Sequence, residues 1–274
     1  MTTTVAPPEK DAVRINALLA ELRIAGNAVG NREWLSAELA GEPAVSLGTL
    51  GSTASPLSGL DSAGVGFLTP MISFLEEPLN QLRGDPDSVA SGAGQFDSAG
   101  QDAAALGEQY RSAAGRETSE WSGESAANYQ QTGMELADGI LSLAETSLTS
   151  AKAMIGAGEV VAQVIDIVTR LITEAVGKIV PIMTEAIAAA PATFGQSIAV
   201  AIPRCVQIAV DCGVQLAGKL AALLSSGENL IKLIDGALGV LKIVKQGLTF
   251  IGEQSQGGST PKTAGTEEEP QSRS

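Results

Sequence analysis

Thirty-one Asp and Glu, seventeen Lys and Arg, two cysteines and no histidine are the groups of this chain that could do chemistry. Without histidine it lacks both the usual general base at neutral pH and the commonest metal ligand. Cys205 and Cys212 alone cannot complete a Cys/His zinc site or a thiol–imidazole dyad. They stand seven residues apart, so on one continuous helix they share a face at a separation of about 10 Å, too far for an intrachain disulfide unless the chain bends near Gly213. Two readings stay open for them: small buried hydrophobes, or a bridge between chains after export. The glycine-rich stretch from Gly48 to Gly66 carries neither a GxGxxG nor a Walker pattern, and no basic residue follows to meet a phosphate. A carboxylate pair for glycoside hydrolysis would need aromatic platforms, and aromatics are 3% of the chain. The expectation is a protein that is not an enzyme and takes no cofactor or metal.

The elements that position these groups follow from composition. At 274 residues and 44% hydrophobic, the chain can bury a real core, built from Ala, Leu, Ile and Val rather than rings. Small aliphatic side chains suit closely packed helices. A net charge of −14 argues against nucleic acid, whose phosphates demand clustered Lys and Arg. Residues 1–10 show no basic segment leading into an apolar stretch, so no cleaved signal peptide is expected and export would use another route.

The expected architecture is all-α. Residues 1–84 read as N-terminal helices and a linker: a flexible lead-in over 1–10, a short amphipathic helix from Asp11 to Ala25, another around Trp34, and a Gly/Ser/Thr/Pro-rich run from Gly41 to Gly66 with no sustained period. Phe67 to Leu82 reads as helical turns broken by Pro70 and Pro78. Residues 85–155 carry the clearest signal. Asp85-Pro86 is a helix start, a capping carboxylate before a proline at the first helical position. Val89, Phe96, Ala103 and Tyr110 then recur every seven residues, with Ala99, Leu106 and Ala113 three beyond the last three of them. After a break at Trp121-Ser122-Gly123, a second seam runs through Tyr129, Gly133, Leu136, Ile140, Leu143, Ser147 and Met154. Two seams of similar length across a short break predict an antiparallel helical hairpin, each arm about 45 to 50 Å long. Phe96, Leu106, Tyr110, Tyr129, Leu136, Ile140 and Leu143 are its expected interface, with the Trp121 indole filling the space where the arms splay and Gly123 letting the backbone reverse.

Residues 156–251 are apolar on most sides, and Pro181, Pro191 and Pro203 are expected to break or kink the region into several helices, ending in one from Glu228 to Ile251. The uncharged run 186–203 has the length of a membrane span, yet it contains two prolines and many alanines; a core helix pair fits it better, with conditional membrane contact as the alternative. Residues 252–274 read as a disordered acidic tail.

Trp121-Ser122-Gly123, with Ala126, Ala127 and Tyr129 behind it and the Asp85-Pro86 start before it, resembles the Trp-x-Gly hairpin of the WXG (Esx/Esp-like) substrates of actinobacterial type VII secretion. The resemblance covers roughly the 70 residues of the hairpin and implies a secreted or envelope-associated protein that pairs with another helical protein or with itself. The family's export signal is Tyr-x-x-x-Asp or Glu; here Tyr129 is followed four positions on by Gly133, and Tyr110 by Ala114. The resemblance therefore implies export together with a partner that carries the signal. Its rival is a membrane-active or pore-forming protein using the apolar helices of 158–251.

Overall fold

The computed structural model describes residues 15–257, and the lead-in and the tail beyond residue 257 lie outside them. Among the described residues all regular structure is helical: α1 Ile15–Gly30, α2 Ala37–Ala40, α3 Ser58–Ser62, α4 Thr69–Ile72, α5 Glu77–Leu82, α6 Pro86–Glu117, α7 Glu124–Thr193 and α8 Gln196–Gly257. The protein is thus all-α. Its spine is α7, 70 residues and about 105 Å long. The second arm of the hairpin does not stop near Met154, as the change of composition suggests. It continues unbroken through the apolar region, and α8 returns antiparallel along it, so that Leu248 comes to lie against Gly139.

Prolines account for much of that difference. Pro181 and Pro191 sit inside α7 and Pro203 inside α8, where a break was expected. Each proline is on the exposed side, as are Gly177, Ile187 and Ala199, the residues four before them whose carbonyls lose a donor and can turn to water. On the opposite side Ile179, Met183 and Ala186 are buried, and the helix runs on through both prolines. Pro70 and Pro78 fall in the first turns of α4 and α5, starting those helices rather than breaking them.

The start of α6 is as the sequence reads. Asp85 accepts from the Asp87 amide at 3.0 Å, and the Ser88 hydroxyl donates to its other oxygen at 2.6 Å. Those bonds, Ser88 first, hold the carboxyl below its ordinary pKa. From there α6 packs along the first half of α7, and α1 packs on another side of the same stretch, reaching α8 as well.

The second half of α7 and the adjoining half of α8 are covered by residues 36–84, and the linker reading fails there. Leu39, Leu50, Leu57, Leu60, Val65, Leu68, Ile72, Leu75 and Leu79 are each buried at 3% exposure or less. They form one core with Val164, Val168, Ile172 and Ile179 of α7 and with Cys205, Ala209 and Leu216 of α8. The segment lacks a period because it is a string of single helical turns, each redirected before a window of helical spacing can build up. Its anchor is Glu42, which receives Lys219 of α8 at 2.9 Å and Arg170 of α7 at 3.1 Å. Beside it, the buried Gln163 amide donates to the carbonyls of Leu39 and Glu42 at 3.1 and 3.0 Å.

The Lys219 hydrogen bond foremost lowers the Glu42 pKa; burial opposes it, Arg170 adds a smaller lowering, and the net shift is downward. A depressed carboxylate stabilises the fold fully above its unfolded pKa, and that stability is lost as pH falls through the lower folded value. We therefore expect Glu42→Gln to destabilise the chain at pH 7 and to lose the difference from wild type in the acid range below the ordinary carboxylate pKa. Urea midpoints measured across pH would show it, and equal curves at all pH would rule out this anchor.

Candidate partner-binding face

The hairpin interface has the expected period but a different stripe of residues. On α6 the buried positions are Ala93, Gly100, Gly107 and Ala114, seven apart and four beyond each member of the Val89, Phe96, Ala103, Tyr110 series. Small residues there let the two backbones approach. A Cβ on Gly100 would lie 2.7 Å from Leu148 and 3.1 Å from the Ala144 carbonyl oxygen, and one on Gly107 would lie 2.9 Å from Leu141. Facing them, Leu141 is buried and Gly133 lies against Ala114. An ion pair from Arg111 to Asp138 closes one side of the seam.

Of the larger side chains expected inside, Ile140 does face α6, its Cγ2 3.4 Å from a Cβ placed on Gly107, but five others are consequently outside. Phe96 is 46% exposed, Leu106 56%, Tyr110 38%, Tyr129 45% and Leu143 54%, while Leu136 and Ile140 are half-buried. This corrects the interface as read from the sequence: a seven-residue period is shared by both stripes, and the greater hydrophobicity of one does not decide which faces the partner helix. The exposed residues still form one surface. Phe96 and Tyr110 are fourteen residues apart on α6, as are Tyr129 and Leu143 on α7, so each pair shares a helix face. The Ser147 hydroxyl donates to the Phe96 carbonyl at 2.8 Å and sets the two faces side by side.

At the end of the pair, the chain between α6 and α7 turns through Thr118 to Gly123. Thr118, which the sequence reading passes over, is the buried post of this turn at 1% exposure. Its hydroxyl donates to Ala114 O at 2.8 Å and accepts from the Gln130 amide at 2.8 Å, while its carbonyl accepts the Trp121 amide at 3.0 Å. Trp121 does not fill the space between the arms. It is 58% exposed and lies on Tyr129 with ring centroids 5.4 Å apart and planes at 49°. With the arms already close through glycine and alanine, there is no gap for an indole, and the ring extends the exposed aromatic surface instead. Gly123 has φ 94° and ψ −179°, a region open essentially to glycine alone. Gly123→Ala should therefore cost about 1–3 kcal/mol, read as a lower thermal midpoint of the full chain. An unchanged midpoint would mean that the turn is not held in this conformation.

The remaining polar groups offer little chemistry. Both cysteines are buried on α8 and unpaired; Cys212 lies near Leu171 O at 3.6 Å, and burial raises both thiol pKa values. Their burial against α7 favours the reading as small hydrophobes over a bridge between chains. Among the described residues no group of three or more Cys, Asp or Glu could hold a metal ion. A cleft of about 460 Å³ between α1, α6 and α7 is lined by Val29, Ala93 and Ile155 with Asp97, Lys152 and the ion pair of Arg32 with Glu159 at its edge. No hydroxyl or thiol side chain lines it.

A further apolar surface is uncovered. Val210, Leu224, Ile231 and Leu238 lie at multiples of seven on the outer side of α8 and are exposed. That helix is long and apolar enough to cross a membrane, with a mean hydropathy of 1.5 over a window of which only 22% is buried, though the core helix of a water-soluble protein passes the same test. The run 186–203, in contrast, is no single span, because α7 ends at Thr193 and the chain reverses at Phe194 and Gly195. No family model, no curated protein and no solved structure matches this chain, so its reading rests on the geometry above.

Proposed function

We propose that this chain is a helical binding protein of the type VII secretion kind, secreted or held at the envelope, that engages a helical partner through the outer face of the α6–α7 pair. The observation that carries the reading is the exposed aromatic and aliphatic surface of Phe96, Leu106, Tyr110, Tyr129 and Leu143, extended at the turn by Trp121. Monomeric proteins rarely leave large apolar residues in a continuous strip, and aromatic side chains are the usual anchors of interfaces. A strip at seven-residue spacing fits the face of another helix. Trp121-Ser122-Gly123 at the junction, as in the WXG substrates, supplies the secretion part of the proposal. The absence of a Tyr-x-x-x-Asp signal after either tyrosine fits export in company.

The test compares culture filtrate and cell fractions from a type VII-competent bacterium producing the chain with those producing Trp121→Ala. Since Trp121 is exposed, the variant should fold normally while losing its co-purifying helical protein and its place in the filtrate. Unchanged export and unchanged company would remove the proposal.

A further inference from the structure

The turn between α7 and α8 has a chemistry unlike the rest of the molecule. Between Glu185 and Arg204 lie eighteen consecutive residues without a charge, in a chain whose net charge is −14. Ala186 and Ala201, each 7% exposed, are the last buried residues of the two legs. Past them the apolar side chains open outward: Ile187 at 39%, Val200 at 76% and Phe194 at 97% exposure. Phe194 sits at the apex with φ 51°, followed by Gly195 with φ 84°.

Several polar groups of this turn bond within it, while the Gln196 side chain beside the apex is exposed. The Gly195 amide donates to Ala190 O at 2.9 Å. The Thr193 hydroxyl donates to Ala189 O at 3.0 Å and meets the Ser197 hydroxyl at 2.9 Å, and the Ser197 hydroxyl donates to Ala186 O at 2.6 Å. The Ser197 amide donates to the Thr193 hydroxyl at 3.2 Å. Pro191 and Pro203 have no amide hydrogen, which leaves the carbonyls of Ile187 and Ala199 without a helical donor. The internal bonds of Thr193, Gly195 and Ser197 lower the cost of taking this part of the turn out of water.

We infer that residues 186–203 are a lipid-inserting tip, by which the chain docks one end of its α7–α8 pair in the outer layer of a zwitterionic bilayer. The dimensions agree. Ala186 to Thr193 rises about 12 Å, close to half of a hydrocarbon core about 30 Å thick, so the tip enters one leaflet without spanning the membrane. Glu185 and Arg204 then stand at the level of the headgroups, where long charged side chains reach water. A protein partner fits less well, because an interface anchor is normally walled by neighbouring side chains that exclude water, and Phe194 stands clear of any wall. Zwitterionic lipid is the match because no basic cluster flanks the tip and the acidic chain is repelled by anionic surfaces.

The experiment is flotation of the full chain with phosphatidylcholine vesicles, compared with the double variant Phe194→Glu, Val200→Glu. Both positions are exposed, so the variant should keep the wild-type circular dichroism and sedimentation. We expect wild type to float and the variant to lose at least about tenfold in partitioning. Phe194→Trp should gain a blue-shifted emission on adding vesicles, above the signal of Trp34 and Trp121. Phe96→Asp with Leu143→Asp should float as wild type does, which separates this inference from the partner-binding proposal. Failure of wild type to float, equal flotation of the tip variant, tighter binding to phosphatidylserine vesicles, or a change in the variant's own sedimentation would each overturn it.

Discussion

Gly100→Leu will separate α6 from the spine. A Cβ at this position already meets Leu148 at 2.7 Å and the Ala144 carbonyl oxygen at 3.1 Å; the leucine side chain can turn away, but the backbone oxygen of α7 cannot. The close approach then has to be given up over the neighbouring turns, including the contacts of Gly107 with Leu141 and of Ala114 with Gly133. Overpacking of this kind costs about 1–3 kcal/mol at one site. Loss of the neighbouring contacts adds to it, so the expected total is about 3 kcal/mol or more. Denaturant midpoints measure it directly. The far half of the molecule, with its separate cover of leucines, should keep its hydrogen-exchange protection while α6 loses its own. Uniform loss of protection would show instead that the two halves unfold as one.

Phe96→Asp together with Leu143→Asp should do the reverse, leaving the fold intact and removing association. Both side chains are about half exposed, and exposed positions usually change stability by about 0.5 kcal/mol or less. Two carboxylates in the middle of an apolar docking strip would have to be desolvated without a partner charge. That costs several kcal/mol at an interface and amounts to a loss of at least about a hundredfold in affinity. The same residues would have been the worst choice for this experiment had they formed the interior of the hairpin, as their spacing and hydrophobicity suggest, because the pair would then unfold.

That reversal shows how far the sequence reaches. The Asp85-Pro86 start, the seven-residue period and the interruption at Trp121-Ser122-Gly123 together locate two long helices and the bend between them, because caps and periods are local properties of the chain. Which stripe faces inward is not local. It depends on how closely α7 can come, and the glycines that allow it carry no hydrophobic signal. Trp121 follows from the same fact, since a tight seam has no room for it. The cover over residues 36–84 was illegible for another reason: leucines spaced by single turns of changing direction leave no period, and glycine, serine and proline between them resemble a linker. The prolines of α7 and α8 misled because a break is avoided only when the proline faces water and the other side is buried, and both conditions come from tertiary packing.

The assignment of function depends on whether the outer face of α6 and α7 is a docking surface, and this can be decided by purifying the full chain from a type VII-competent bacterium and measuring what sediments with it. Wild type should sediment as a stoichiometric complex with one helical protein or with a second copy of itself. Phe96→Asp with Leu143→Asp should sediment as a folded monomer. A wild-type chain that is monomeric and alone, or a variant that keeps the full complex, would mean that the exposed strip is not where this protein binds.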